Sequence, residues 1–242
     1  MLRHKNHLLP ASVCAVAAVA VLGLANGFGI GAARGADLDQ RVPAPALDET
    51  VKTAGTETLI LAGGCFWGVQ GVFQHVRGVT NAVAGYDGGS AATAQYEIVS
   101  TGTTGHAESV RITYDPRIVT FGRLLQIYFS VTTDPTQRNR QYPDEGPQYR
   151  SEIFATTPEQ AAIAQAYIAQ LGQAHVFPRA IVTEIGKDTG FYPAEDYHQN
   201  YLAFHPDSPY IATFDLPKLA ALKKVFPDEF MSDPVLVTHT DS

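Results

Sequence analysis

A short apolar run that ends at a pair of glycines and leads into a helical repeat restricts the fold of this chain more than any other feature. Residues 58–62 (TLILA) are followed by Gly63 and Gly64, a pattern typical of a buried strand and a tight turn. Apolar residues then recur at helical spacing, at Val69, Val72, Phe73 and Val76. The pattern predicts that the chain passes from a strand into a helix within a few residues.

The alternation of strand and helix continues along the chain. Further strands are predicted at 109–114 and 180–185, and further helices at 121–128 and 157–170. The last helix has the strongest start signal, because Thr157 stands at the N-cap position, Pro158 in the first turn and Gln160 at the capping-box position. Such alternation indicates an α/β (α+β) two-layer sandwich, although the order of its strands cannot be read from the pattern.

The first 33 residues have the composition of an export signal. Arg3 and Lys5 precede a run without charged side chains at 8–33, and small residues at 31–33 (GAA) offer a cleavage site before Arg34. An uncleaved membrane anchor is the alternative, because the run is long enough to span a bilayer. In either case we expect the protein to be exported, to the periplasm or the cell envelope.

The remaining chain divides by composition into three parts. Residues 34–56 are rich in Ala, Pro, Asp and Thr without an apolar period and are predicted to be a flexible linker. Residues 57–230 carry all the periodic patterns and are predicted to form one domain, followed by a loose tail at 231–242. The formal charge of -7 at pH 7 makes the chain a poor general binder of nucleic acid or anionic membrane.

The sequence contains two cysteines, Cys14 and Cys65. Removal of the signal would leave Cys65, which stands in the sequence GGCFWG at the predicted junction of strand and helix. Unpaired backbone N–H groups at a helix start favour thiolate over thiol, so this position predicts a nucleophilic cysteine. On this observation alone, a buried and unreactive cysteine remains equally open.

Motifs beyond the cysteine identify a resemblance. Together with GCFWG, the chain is similar to the type A peptide methionine sulfoxide reductases in several segments that follow the family order. They are 102–110 (GTTGHAESV), 134–136 (DPT) with 139–141 (NRQ), 146–151 (GPQYRS) and 194–199 (AEDYHQ). The resemblance covers about 57–204.

The resemblance implies reduction of the S epimer of methionine sulfoxide, free or in oxidised proteins, on a ferredoxin-like two-layer fold with a mixed sheet and packed helices. The family nucleophile falls on Cys65, and the acid that protonates the sulfoxide oxygen falls on Glu108. Burial would have to raise the pKa of Glu108 for it to stay protonated near neutral pH. The other family positions fall on Tyr96 and Tyr149 (phenols that bind the oxygen), Phe66 and Trp67 (aromatic pocket) and Asp144 (substrate orientation).

The chain departs from the family pattern at several positions. Thr133 stands where a His is usual, and Tyr142 stands where a Gly is common, at the rim of the expected pocket. The tail at 231–242 lacks the resolving cysteine that many members carry, and Ser100 occupies a position that is cysteine in some of them. We therefore expect Cys65 to be recycled by an external thiol, either glutathione or a thioredoxin-like or glutaredoxin-like protein. No metal or other cofactor is implied, and a monomer is expected.

Two other classes of function remain open. A cysteine hydrolase would pair Cys65 with His106 or His198 and an Asp, although no hydrolase signature surrounds the cysteine. A non-catalytic binding module of the cell envelope would not need a thiol at a helix start. The spacing of His106 from Glu108, and of Asp196 from His198, could suggest metal ligands, but structural hydrogen bonding is favoured because no zinc-type cluster accompanies them.

Overall fold

The computed structural model describes residues 40–50 and 55–238, and a six-stranded sheet lies at the centre of this part of the chain. The strand order is β7-β6-β1-β3-β2-β8. All neighbouring strands are antiparallel except β6 and β7, so the sheet is mixed. Its strands are β1 (Glu57–Gly63), β2 (Val79–Asp87), β3 (Ala107–Tyr114), β6 (Ser151–Ala155), β7 (Glu184–Lys187) and β8 (Tyr192–Pro193). A separate hairpin pairs β4 (Arg140–Gln141) with β5 (Asp144–Glu145).

Two of the α-helices begin at side-chain caps. Thr157 accepts a hydrogen bond from the Gln160 N–H at the start of α4, as predicted, and Thr120 accepts one from the Arg123 N–H at the start of α3. A π-helical turn at Tyr128–Thr132 continues α3. The α-helices of the described residues are α1 (Phe66–Gln74), α2 (Tyr96–Val99), α3 (Phe121–Ile127), α4 (Pro158–Gln173), α5 (Tyr201–Phe204) and α6 (Leu216–Val225).

Side chains of β1 divide the core between the two faces of the sheet. Leu59 and Leu61 belong to the large cluster that the sheet shares with the helices. Ile60 and Ala62 point to the opposite face, where a small cluster includes Phe154. The predicted layered α/β architecture is therefore confirmed. The outer strands β7 and β8 extend the sheet beyond the four strands expected of a ferredoxin-like fold.

A buried network of amide side chains fixes α1 against the residues around 200. Gln70 Nε2 donates to Gln199 Oε1 at 2.8 Å, and the Asn200 N–H donates to Gln70 Oε1 at 2.8 Å. Gln74 Nε2 donates to Asn200 Oδ1 at 2.7 Å. Each partner is almost completely buried, so the network holds α1, whose first turn follows Cys65, in one rotation about its axis.

Residues 40–50, which we name the N-terminal strap, lie against the helices. Val42 is buried, and its N–H donates to Ser130 Oγ. Tyr167 Oη donates to the Pro43 carbonyl at 2.6 Å. The described part of the predicted flexible linker is thus docked on the domain. The amino-acid composition did not predict this docking. Several of the contacts use backbone groups, which produce no periodic pattern of apolar side chains in the sequence.

The predicted loose tail also contacts the domain as far as it is described. The Met231 and Val235 N–H groups donate to the carbonyls of His75 and Gln74, and Val237 exchanges two hydrogen bonds with the Asn200 side chain. The strand predicted at 180–185 begins only at Glu184. The predicted signal segment lies outside the described residues, among which no helix has the length and apolar character needed to cross a bilayer.

Candidate active site

Cys65 lies directly between β1 and α1, as the sequence predicts, and is 8% exposed. Gly64 precedes it with φ +94, a conformation that glycine adopts without strain. A Cβ atom on Gly64 would also lie 2.5 Å from Cβ of Gln141. Both features require glycine here, because the loop that carries Gln141 packs onto the turn before the thiol.

Glu108 lies on β3 with its carboxyl group beside the start of α1. Its Oε2 accepts the Phe66 N–H at 3.0 Å, and the side chain is 3% exposed. Burial raises the pKa of Glu108 to about 8, against the lowering effect of the Phe66 hydrogen bond. The carboxyl group is therefore mostly protonated at neutral pH, the condition that the sequence analysis set for a proton donor.

The thiol of Cys65 differs from the prediction that its helix position favours thiolate. Burial raises the pKa of Cys65 well above its ordinary range, and negative charge on Glu108 or Asp215, when present, raises it further. The Trp67 N–H donates to the sulfur and acts in the predicted direction, but it is outweighed. Without a ligand, Cys65 is a thiol at neutral pH.

The predicted phenols lie within electrostatic reach of this pair. Burial raises the pKa of Tyr96 and of Tyr149, and charge on Glu108 and Cys65 raises both further. Tyr96 begins α2, where its N–H donates to Glu195 Oε1 at 2.9 Å, and Tyr149 ends a 3₁₀ turn at Pro147–Tyr149. The structure thus places both phenols in one polar site with the thiol and the acid.

Trp67 forms one wall of the site. Its indole stacks on Tyr201 with ring centroids 3.8 Å apart, and its Nε1 donates to His198 Nδ1 at 3.1 Å. Phe66 is buried beneath it, 5.0 Å from the His198 ring. Burial lowers the pKa of His198, so the ring is neutral and can accept this hydrogen bond. The contacts hold the indole in one orientation.

The histidines considered for a hydrolase make other contacts. His198 Nδ1 accepts from Trp67, as described, and His106 Nε2 lies 3.0 Å from the Ser90 carbonyl oxygen. A base that activates a cysteine needs a ring nitrogen directed at the sulfur. These contacts give no support to the hydrolase alternative.

Asp144 and Tyr210 form a second polar element of the site. Tyr210 Oη donates to Asp144 Oδ2, and the Tyr210 ring lies edge-on to Trp67 at 5.9 Å. Burial raises the pKa of Asp144, against the lowering effects of Tyr210 and Lys218. Tyr210 was not anticipated, because its segment shows no motif or apolar period.

Asp215 was also missed by the sequence analysis. It is fully buried at the start of α6, and its Oδ1 accepts from Lys218 Nζ at 3.1 Å. Its Oδ2 has no hydrogen-bond partner among the described residues. An Asp before Leu216 and Pro217 suggests only an N-cap, yet its side chain makes no capping bond. The carboxyl group instead faces α1 so closely that a Cβ on Gly68 would overlap it.

Comparison with known proteins places this geometry in a family. A family model described as peptide methionine sulfoxide reductase matches residues 57–229. Peptide methionine sulfoxide reductase MsrA 2 of Mesorhizobium japonicum is 60% identical over 183 residues, which cover 76% of this chain and 94% of that protein. The protein of the same name from Synechocystis is 52% identical over 191 residues, covering 78% and 89%.

Solved structures agree with the family model. Methionine sulfoxide reductase A of Corynebacterium diphtheriae is similar with a TM-score of 0.54 and 35% identity, covering 65% of this chain and 78% of that one. Reduced Mxr1 of Saccharomyces cerevisiae gives a TM-score of 0.58 and 29% identity, covering 66% and 91%. The family model covers most of the chain and the relatives align over more than two thirds of it. The chain therefore belongs to the type A peptide methionine sulfoxide reductase family.

Proposed function

We propose that this oxidoreductase is a peptide-methionine (S)-S-oxide reductase that repairs oxidised proteins and free methionine sulfoxide. The observation that carries the proposal is the buried pair of Cys65 and Glu108, in which the acid stays protonated at neutral pH beside the thiol. A sulfoxide is a poor electrophile until its oxygen is protonated. A neutral carboxyl group next to a nucleophile can supply the proton that the sulfoxide oxygen needs.

The pair holds both protons that the reaction uses. Glu108 gives its proton to the sulfoxide oxygen while Cys65 Sγ attacks the sulfur, and the thiol proton passes to Glu108. The hydroxyl group then moves from the substrate sulfur to Cys65 Sγ. The S–O bond and the bond between the two sulfurs break, and the new O–Sγ bond leaves a sulfenic acid on Cys65. Two electrons move from Cys65 to the substrate sulfur, and methionine is released.

The surrounding side chains bind and orient the substrate. Tyr96 and Tyr149 donate hydrogen bonds to the oxygen as charge develops on it. Trp67 and Phe66 offer an apolar wall to the methyl group without a competing donor, because the indole N–H is held by His198. Asp144 orients the substrate.

Recycling of Cys65 requires a thiol from outside the chain. Cys65 is the free cysteine of the described residues, and Cys14 lies in the predicted signal. A first external thiol attacks the sulfenic acid, forms a mixed disulfide and releases water, and a second thiol restores Cys65. The reductant is a small thiol such as glutathione or a thioredoxin-like or glutaredoxin-like protein, and the enzyme acts as a monomer.

We also propose that the enzyme works beyond the cytoplasmic membrane, in the periplasm or cell envelope. Support comes from Arg3 and Lys5 followed by the uncharged run at 8–33. In cell fractionation, the protein should leave the cytosol, with or without shortening at its N-terminus. A full-length protein in the soluble cytosolic fraction would contradict the proposal.

The activity is tested by turnover of the separate R and S epimers of a methionine sulfoxide peptide with alternative thiol reductants. Wild-type protein should reduce the S epimer, and Cys65→Ser should abolish this activity while leaving the fold intact, because a hydroxyl group is far less nucleophilic than a thiolate. More than trace activity in Cys65→Ser, or reduction of the R epimer alone, would refute the assignment.

A further inference from the structure

Four aromatic rings form a line from the proposed substrate pocket to the surface. Trp67 meets the edge of Tyr210 at 5.9 Å, Tyr210 meets Phe214 at 5.1 Å, and Phe214 meets Tyr142 at 5.8 Å with an interplanar angle of 79°. We name Phe214 and Tyr142, the outer two rings, the aromatic lip. The inner end of the line is the pocket wall, so the lip is continuous with the site.

Tyr142 is the outermost ring. It is 70% exposed, the largest exposed fraction of any large apolar side chain among the described residues. Phe214 is half-buried. The core does not need a ring that is left mostly in water. The position of Tyr142 therefore calls for an explanation outside the packing of the domain.

The lip is held in place by the loop that packs onto the turn before the thiol. Gln141, the residue before Tyr142, packs against Gly64, and the Tyr142 N–H donates to Gln137 Oε1 at 3.1 Å. Asp144, two residues further on, accepts the Tyr210 hydroxyl. Both ends of this segment are fixed to the site, so the ring of Tyr142 is presented at a defined place on the pocket rim.

We infer that the lip binds an apolar side chain that neighbours the methionine sulfoxide in a protein substrate. This inference rests on the proposed function and adds a preference among its substrates. Each step of the aromatic line is between 5 and 6 Å, and an extended chain advances about 3.3 Å per residue. A side chain a few residues from the sulfoxide therefore reaches the lip.

The chemistry of the substrate favours an apolar occupant. Methionine is among the residues most often buried in proteins. Oxidation makes its side chain polar and disrupts the core that holds it. A segment exposed by this damage brings its other core residues with it, and the exposed aromatic surface of the lip suits them.

The test compares kcat/KM on free methionine sulfoxide and on two peptides with a central methionine sulfoxide. One peptide has only Gly and Ser around the sulfoxide, and the other has Phe at the positions about three to five residues from it on both sides. Wild type should prefer the Phe peptide over the Gly and Ser peptide. Tyr142→Ser should lower that preference roughly 3- to 10-fold, the size expected for loss of one aromatic contact.

Two control variants make the result specific to the lip. Tyr142→Phe keeps the ring and should keep the preference. Phe204→Ser removes a ring of α5 that is 60% exposed and should also keep it. An equal loss on all three substrates in Tyr142→Ser would overturn the inference, because the ring would then act only by holding the loop of Asp144. An unchanged preference would overturn it as well.

Binding of the same peptides to Cys65→Ser separates the inference from the proposed function. Calorimetry should show tighter binding of the Phe peptide, and the added Tyr142→Ser change should remove the difference. If wild type turned over no sulfoxide while this binding difference persisted, the proposed function would be wrong, but the inference that the lip binds an apolar side chain would be supported. If turnover were normal but the two peptides bound equally well, the inference about the lip would be refuted and the proposed function would not be affected.

Discussion

In the proposed mechanism, Glu108 has to be buried enough to keep its proton. It also has to lie close enough to the thiol to protonate the oxygen of the sulfoxide that the thiol attacks. Replacement by Gln preserves size and can still accept the Phe66 N–H, but it has no acidic proton. We expect Glu108→Gln to slow a single turnover by roughly 10²- to 10⁴-fold, the range typical of general acid catalysis. Rapid-quench measurement of methionine formation tests this.

The matched control for this variant is Glu152→Gln. Glu152 is also buried, and burial raises its pKa, but its carboxyl group on β6 is bound by Arg150. Its replacement should leave the single-turnover rate within a few-fold of wild type. An unchanged rate in Glu108→Gln would remove Glu108 from the proton-donor role.

Asp215 acts on Cys65 through its charge. Its carboxylate is one of the groups that raise the pKa of the thiol. Asp215→Asn should therefore lower the pKa of Cys65, and the midpoint of thiolate formation, followed by ultraviolet absorbance or by alkylation rate against pH, should move to lower pH. As a control, Asp228→Asn removes an exposed carboxyl group outside the site and should leave the midpoint unchanged. An unchanged midpoint in Asp215→Asn would show that the charge of Asp215 does not act on the sulfur.

The N-terminal strap is fixed to the domain through a carboxyl group. Glu49 Oε1 accepts the Phe121 N–H at 2.7 Å, and the Tyr114 hydroxyl donates to both its oxygens. Burial, assisted by the charge of Glu57 and opposed by the Phe121 hydrogen bond, raises the pKa of Glu49 from 4.5 to about 7. The folded protein therefore holds this proton more tightly than the unfolded chain does.

Linkage gives the sign of the pH dependence. The free energy of unfolding should fall as pH rises from about 4.5 to about 7, because the unfolded chain gives up the proton first, with an effect on the order of 1 to 3 kcal/mol. Glu49→Gln should flatten that part of the curve in urea denaturation. Glu159→Gln, an exposed carboxyl group of α4, should keep the wild-type slope, and an unaltered slope in Glu49→Gln would contradict the prediction.

Sequence patterns predicted those elements whose signals are local. The turn that places Cys65 is predicted by adjacent residues. The start of α4 is predicted by Thr157, Pro158 and Gln160. The family resemblance assigned Glu108, Tyr96 and Tyr149 to one site. Asp215 and Tyr210 could not be found in this way, since their approach to the site depends on the packing of α6 and the turn before it. The pKa of Cys65 was missed for the same reason, because burial is a property of the whole fold.

In the proposed cycle, the oxidising equivalent of each turnover stays on one sulfur atom of the whole molecule, that of Cys65. In full-length Cys14→Ser protein, Cys65 is the single cysteine, so excess sulfoxide without reductant should yield one methionine per chain. Intact mass should increase by one oxygen, and a sulfenic-acid probe should label Cys65. A doubled mass that reverts on reduction would indicate a disulfide between two chains and would contradict a monomeric cycle.

The amide network around Asn200 has a consequence for hydrogen exchange. The Val237 N–H donates to Asn200 Oδ1, and the Asn200 N–H donates to Gln70 on α1. Because Asn200 joins the tail to α1, we expect these amides to exchange with solvent when the helix that follows Cys65 loosens. They should therefore share the slow exchange rate of the central strands, not that of a chain end. Fast exchange at Val237 with slow exchange in β1 would show that the tail opens independently of the catalytic helix.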